Sequence, residues 1–171
     1  MAVVDGLGHG VEAAIAAIAA IRTLESHDEL SLVPLVKACH ASLKNTRGVV
    51  LSVAHCCEVT GLLKWLGVGN VEALIARVDY GKLIKVDHLM LRNGIVGMML
   101  PSLLVSEQVL TPDDLVVLAS DGIRRGFHAG LDPSGDPSLI AARILEGYGR
   151  QDDDAMVLVV RYLGPEPPDE N

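Results

Sequence analysis

Five acidic residues in three distant segments have the chemistry to hold a hard cation. Asp5 sits in Val3-Val4-Asp5-Gly6-Leu7-Gly8-His9-Gly10, Asp121 in Leu118-Ala119-Ser120-Asp121-Gly122-Ile123, and Asp152, Asp153 and Asp154 lead into Met156-Val157-Leu158-Val159-Val160. Each acid lies at the start or end of an apolar, strand-like run. Strands that bury such runs can bring their ends together. Clustered carboxylates repel one another by roughly 4 kcal/mol per close pair at an effective dielectric near 20. A divalent cation relieves that repulsion, and oxygen donors favour magnesium or manganese over zinc.

Each segment also has a plainer reading. Asp5-Gly6 alone is a common turn. Asp121 could cap a helix beginning near Ile123. The Asp152–Asp154 run could be a solvated acidic turn. The three occurring together favour a shared site. His9 reads more simply as a turn or first-turn helix residue than as a general acid. Arg92, Arg124 and Arg125 could meet a phosphate, but surface solvation is the plainer role. Gly69-Asn70 reads as a turn, and Asn93-Gly94 either as a turn or as a segment that shapes the substrate approach.

The elements that must position these groups follow from pattern. Glycine after Asp5 permits a tight turn, and a helix is expected from about His9 to Leu24. Its alanines (Ala13, Ala14, Ala16, Ala17, Ala19, Ala20) give it a thin profile for packing on a sheet. Ser31 could cap a second helix ending near Asn45. Runs at 49–59, 62–68, 71–78 and 82–86 read as a meander of antiparallel hairpins. Further strands are expected at 103–110, 115–119 and 156–162. A short helix is expected at 123–128 and an amphipathic one at 138–148. This order suggests an α+β sandwich.

Composition sets limits. The chain has 171 residues, enough for one domain with a sizeable core. Half are hydrophobic but 3% are aromatic, so the core must be aliphatic. Lys and Arg total 14 against 22 Asp and Glu, for a net charge of −8. That argues against nucleic acid and against anionic membranes as partners. The apolar stretch from Val11 to Ile21 contains Glu12 and is shorter than the ~20 residues of a bilayer span. Cys39, Cys56 and Cys57 make no disulfide framework and read as reduced thiols. No Cys-x5-Arg loop and no P-loop occur. A histidine-kinase box fails because Leu7 stands where a glycine is needed. His27, His40, His55, His88 and His128 show no zinc-ligand spacing.

Together the three acidic motifs resemble the protein phosphatase 2C superfamily, in its SpoIIE-like branch. Trp65-Leu66-Gly67-Val68-Gly69-Asn70-Val71-Glu72-Ala73 and Leu91-Arg92-Asn93-Gly94-Ile95-Val96-Gly97, up to Leu100-Pro101, look like the RsbX-type phosphatases that reset the bacterial stressosome. The resemblance spans Val3 to Tyr162. It implies a four-layer α-β-β-α sandwich of two antiparallel sheets, with a phosphatase domain at 1–163; the proline-rich, acidic composition of 164–171 reads as a disordered tail. The resemblance also implies metal ligation by Asp5, the Gly6 carbonyl, Asp121 and Asp153, with Asp154 as the fallback. The cofactors implied are two Mn²⁺ or Mg²⁺ ions and the nucleophile a metal-activated water.

The implied substrates are phosphoserine and phosphothreonine on stressosome scaffold and antagonist proteins, in a bacterial cytoplasm, for a monomer or weak dimer. Members of the family usually carry about 30 more residues, the length of two strands and a turn, before the first Asp-Gly. The expectation is therefore either a truncated start, leaving an exposed sheet edge, or a first sheet completed differently, with occupancy of the second metal position open. The alternative function is a catalytically inactive binding module of the same fold.

Overall fold

The structure is a computed structural model and describes residues 1–29 and 31–165. The expected tail at 164–171 therefore falls almost wholly outside the described residues.

Eight strands form two antiparallel four-stranded sheets. The first sheet is ordered β1-β2-β3-β6, from β1 (Ala2–Gly6), β2 (Val49–Cys56), β3 (Leu62–Val68) and β6 (Ser106–Val109). The second is ordered β5-β4-β7-β8, from β4 (Glu72–Asp79), β5 (Lys82–His88), β7 (Leu115–Ala119) and β8 (Val157–Arg161). Helices α1 (Val11–Glu25) and α2 (Leu32–Ser42) cover the first sheet, and α3 (Pro137–Tyr148) with a 3₁₀ turn (Phe127–Gly130) covers the second. This is the α-β-β-α sandwich that the resemblance implied.

Three apolar clusters follow from those layers. Val3, Trp65, Ile75, Val116 and Leu118 pack between the sheets. Leu35, Val36, Leu51 and Val68 pack under α1 and α2. Leu74, Val117, Phe127 and Ile140 pack under α3. A strand covered on both faces has no polar side, which is why β2 and β7 are almost continuously apolar and why their sequence alternates so weakly.

Helix α1 buries its small residues Ala13, Ala16 and Ala20, at a spacing that lines one helical face. Ala14 does not contribute to that face and is exposed. The larger Val11, Ile15, Ile18 and Ile21 point outward. Alanines let the helix axis approach the sheet closely, and α1 packs against β1.

One connection departs from the sequence reading. β2–β3 and β4–β5 are hairpins, but β3 and β4 are not paired. Gly69-Asn70 instead carries the chain from one sheet to the other. Gly69 has φ +96°, and a Cβ there would collide with Val50. A second link between the sheets runs from the buried Ser52, whose Oγ donates to the Val71 carbonyl at 2.6 Å.

Among the described residues β1 pairs with β2 alone, so its other side is a free edge. It borders an apolar groove lined by Met1, Val4, Ile21, Leu24 and Leu35. No described helix is long and apolar enough to cross a membrane.

Candidate metal centre

The acidic segments meet at one end of the sandwich. Asp5 lies in β1 opposite Val50, and Asp121 lies two residues beyond β7, which packs on β1 across the core. The loop carrying Asp152, Asp153 and Asp154 leads into β8, which pairs with β7. All five carboxylates line one cavity of about 640 Å³, with Gly6, His9, Asn70, Asn93 and Gly94.

Two glycines let the backbones close in. A Cβ at Gly6 would strike the Ala13 carbonyl of α1, and one at Gly122 would strike the Asp154 carbonyl. Gly8 and Gly10 make the tight turn with φ +88° and +81°. Gly6 has no positive φ, so its role is close approach. Ser120 is buried and ties the third segment to the second. Its backbone N–H donates to the Met156 carbonyl at 3.0 Å, and its Oγ accepts from the Met156 N–H at 2.9 Å.

The electrostatics are those of crowded acids. The Asp5 carboxyl is pushed up from 3.8 to about 6, first by burial and then by the charge of Asp121, with smaller contributions from a hydrogen bond to Asp121 and from Asp153 and Asp154. Asn70 Nδ2 donates to Asp121 Oδ2 at 2.7 Å and fixes that carboxylate. The Asp154 N–H donates to Asp153 Oδ1 at 3.0 Å. The donor set is entirely oxygen, which suits Mg²⁺ or Mn²⁺. The acids do not close on a single point: among the described residues no three of them bring ligand atoms within 4.8 Å of one another.

The other sequence candidates separate. His9 lines the cavity and is exposed. Arg92 does not line it; its backbone N–H donates to the Gly67 carbonyl and its carbonyl accepts from the Gly69 N–H. Arg124 points to a neighbouring hollow, with its guanidinium donating to the Gly147 carbonyl at 2.9 Å. Arg125 is exposed and is not part of the cavity wall. Asn70, read from sequence as a turn residue, proves to be the partner of Asp121. An amide in a turn gives no sign of the carboxylate it will face.

Residues 1–163 match the family model described as Stage II sporulation protein E (SpoIIE). No curated protein sequence matches significantly. A solved structure described as "The bacterial stressosome: a modular system that has been adapted to control secondary messenger signaling" shares 33% identity and superposes with a TM-score of 0.79 over 94% of this chain and 83% of that one. RsbX in complex with magnesium has a TM-score of 0.79 at 17% identity, over 92% of this chain and 77% of that one. The PP2C phosphatase domain of SpoIIE from Bacillus subtilis gives 0.77 at 23% identity, over 97% and 55%. These last two likenesses are of fold. With the family model spanning 163 of its 171 residues, the chain belongs to the SpoIIE family.

Proposed function

We propose that this protein is a Mg²⁺- or Mn²⁺-dependent phosphoserine/phosphothreonine protein phosphatase acting on bacterial stress-signalling proteins. One observation supports it above the others: acids from three distant segments line one cavity and hold the Asp5 proton to about pH 6. Asp5, the Gly6 carbonyl, Asp121 and Asp153 would hold the ions, with Asp154 as the alternative to Asp153. Divalent ions bound there supply Lewis acidity toward phosphate oxygens and a nucleophile at neutral pH. Asn70 holds Asp121 in one orientation.

The stress-signalling context draws support from the 33% identical structure described in terms of the bacterial stressosome, and the metal from the magnesium complex of RsbX. Phosphorylated scaffold and antagonist proteins are the substrates this reading favours. The domain at 1–163, a cytoplasmic location and a monomeric or weakly dimeric state belong to it.

Mn²⁺-dependent hydrolysis of p-nitrophenyl phosphate by the wild type, lost with chelator and in Asp5→Ala, is the expected result. A second reading, a catalytically silent binding module, is favoured by the spread of the carboxylates. Folded wild type with no turnover at any Mn²⁺ concentration would select it.

A further inference from the structure

Outside the acidic cavity, one group of side chains has the composition of a different kind of metal site. Glu72, His88 and His128 each offer a ligand atom, and the three atoms lie within 4.8 Å of one another. None of the three lines the acidic cavity.

The fold places them deliberately close. Glu72 opens β4 and lies two residues before Leu74, so both side chains project from the same face of the sheet. His88 ends β5 directly opposite Leu74. Leu74 packs in the cluster beneath α3, so this is the outer face of the second sheet. His128 comes from the 3₁₀ turn that packs on that face through Phe127. The numbers 72, 88 and 128 show no motif in sequence because three elements supply one ligand each.

Two details suggest a missing ligand. The His88 and His128 rings meet edge to face with centroids 4.7 Å apart, and His88 Nδ1 lies 3.3 Å from Glu72 Oε1. His128 Nδ1 is buried and no protein atom hydrogen-bonds to it. A buried polar atom without a partner costs about 1–3 kcal/mol, and ligation through Nδ1 would supply that partner. Tetrahedral coordination at about 2.0–2.1 Å places ligand atoms about 3.3 Å apart. The three atoms are therefore within a side-chain rotation of closing on an ion.

We propose that Glu72, His88 and His128 form a second metal site, specific for a borderline transition ion such as Zn²⁺. Two imidazoles and one carboxylate favour such ions over Mg²⁺. Three protein ligands leave a fourth position open, and His88 is half exposed, so that position faces solvent. The bound ion would clamp the end of β5 and the 3₁₀ turn to the start of β4. This site does not depend on the phosphatase reading.

The test is calorimetric titration of the full chain with Zn²⁺ in excess Mg²⁺, added to compete for oxygen-donor sites, together with thermal unfolding and Co²⁺ absorption spectra. The expected result is one Zn²⁺ per chain with a Kd of about 10 μM or tighter, a raised Tm, and a Co²⁺ spectrum in the visible range. His88→Ala and His128→Ala should each weaken Zn²⁺ binding at least about 100-fold, more than loss of an outer-shell partner does, and leave Mg²⁺ binding unchanged. Should His128→Ala fail to fold, the half-exposed His88→Ala carries the test. Zn²⁺ binding with equal affinity in folded His88→Ala, or no Zn²⁺ binding by the wild type up to about 1 mM, overturns the proposal.

Discussion

Asn70 reaches from the crossover between the sheets to donate to Asp121 at 2.7 Å, so the residue that joins the two sheets also sets the orientation of a candidate metal ligand. A carboxylate free to rotate must be ordered when an ion binds, and a fixed one need not be. Outer-shell partners of metal ligands are worth about 10–100-fold in metal affinity. Asn70→Ala should therefore raise the Mn²⁺ concentration for half-maximal activity by that factor. Asn70 is exposed, so the unfolding temperature should barely change. A metal titration of activity beside a thermal melt checks both. Unchanged metal dependence would show that the Asn70 contact does not tune the site.

Ser120 works one step further back. Its hydroxyl accepts from the Met156 N–H at 2.9 Å and so anchors the base of the Asp152–Asp154 loop. In Ser120→Ala that part-buried N–H loses its acceptor, at a cost of about 1 kcal/mol. The expected outcome is a lower denaturation midpoint together with weaker Mn²⁺ activation. Ser120→Thr keeps the acceptor and should recover most of the metal affinity if its methyl is accommodated. A stability loss with wild-type metal affinity would separate the loop from the site.

Asp5 sets a pH dependence of definite sign. In the unfolded chain its carboxyl titrates near 3.8, and in the metal-free fold near 6. Between those values the fold holds more protons than the unfolded chain, so the contribution of Asp5 to stability falls as pH rises through that window. Above about pH 6 the charge is a net burden on the metal-free protein. Asp5→Asn should therefore stabilise the apo-protein at pH 7.5, by up to about 1 kcal/mol after allowance for solvent screening, and have little effect at pH 4. Ions compete with the same proton, so wild-type Mn²⁺ affinity should rise with pH up to about 6 and then flatten for this group. Chelator-treated melts from pH 4 to 8 test the first claim. A destabilised Asp5→Asn apo-protein at pH 7.5 contradicts it.

Much of this was legible in the sequence because it is local. The strands at 62–68 and 115–119 match their expected bounds, the glycine turn after Asp5 was readable, and of the six alanines expected to pack α1 on its sheet Ala13, Ala16 and Ala20 are buried. Contacts between sheets were not. Gly69-Asn70 has the chemistry of a hairpin turn, and nothing nearby in sequence says that the next strand joins another sheet. Asp114 reads as one of two acids in a turn, yet it is fully buried. It accepts from Arg77, from the Val78 N–H and from both the N–H and hydroxyl of Thr111. Its neighbour Asp113 is exposed. The distinction depends on Arg77, 37 residues away.

That pair carries a stability prediction independent of any metal. Arg77 bridges Asp114 at 2.8 Å and Asp87 at 2.9 Å, and donates to the Val109 carbonyl of β6 at 2.8 Å. Lys85 and Arg77 together hold the Asp87 carboxyl below its usual range, chiefly through their hydrogen bonds. Arg77→Ala leaves the buried Asp114 without its countercharge, held only by the Val78 N–H and by Thr111, and breaking a buried pair in this way costs up to about 3–5 kcal/mol. Chemical denaturation should show a loss of that size. Arg77→Lys should recover part of it, since one ammonium cannot reproduce the fork to two carboxylates. A loss below about 1 kcal/mol would mean that the pair behaves as a surface salt bridge.

Gly122 offers the sharpest separation of site geometry from stability. Its φ is not positive, so alanine meets no backbone strain there. The obstacle is the Asp154 carbonyl, which occupies the place of the new Cβ. Gly122→Ala must therefore push the Asp152–Asp154 loop away from Asp121. Displacements near 1 Å can cost about 100-fold in rate. Gly81 is the matching control: its φ is +73°, nothing lies near its added Cβ, and it turns the distant β4–β5 hairpin. Gly81→Ala should lose about 1 kcal/mol of stability and keep its activity. Gly122→Ala should lose about 100-fold in Mn²⁺-dependent turnover with a smaller relative loss of stability. Equal activity in the two variants would show that the acidic loop need not touch the end of β7 for catalysis, and would remove Asp153 and Asp154 from the set of residues that hold the ions.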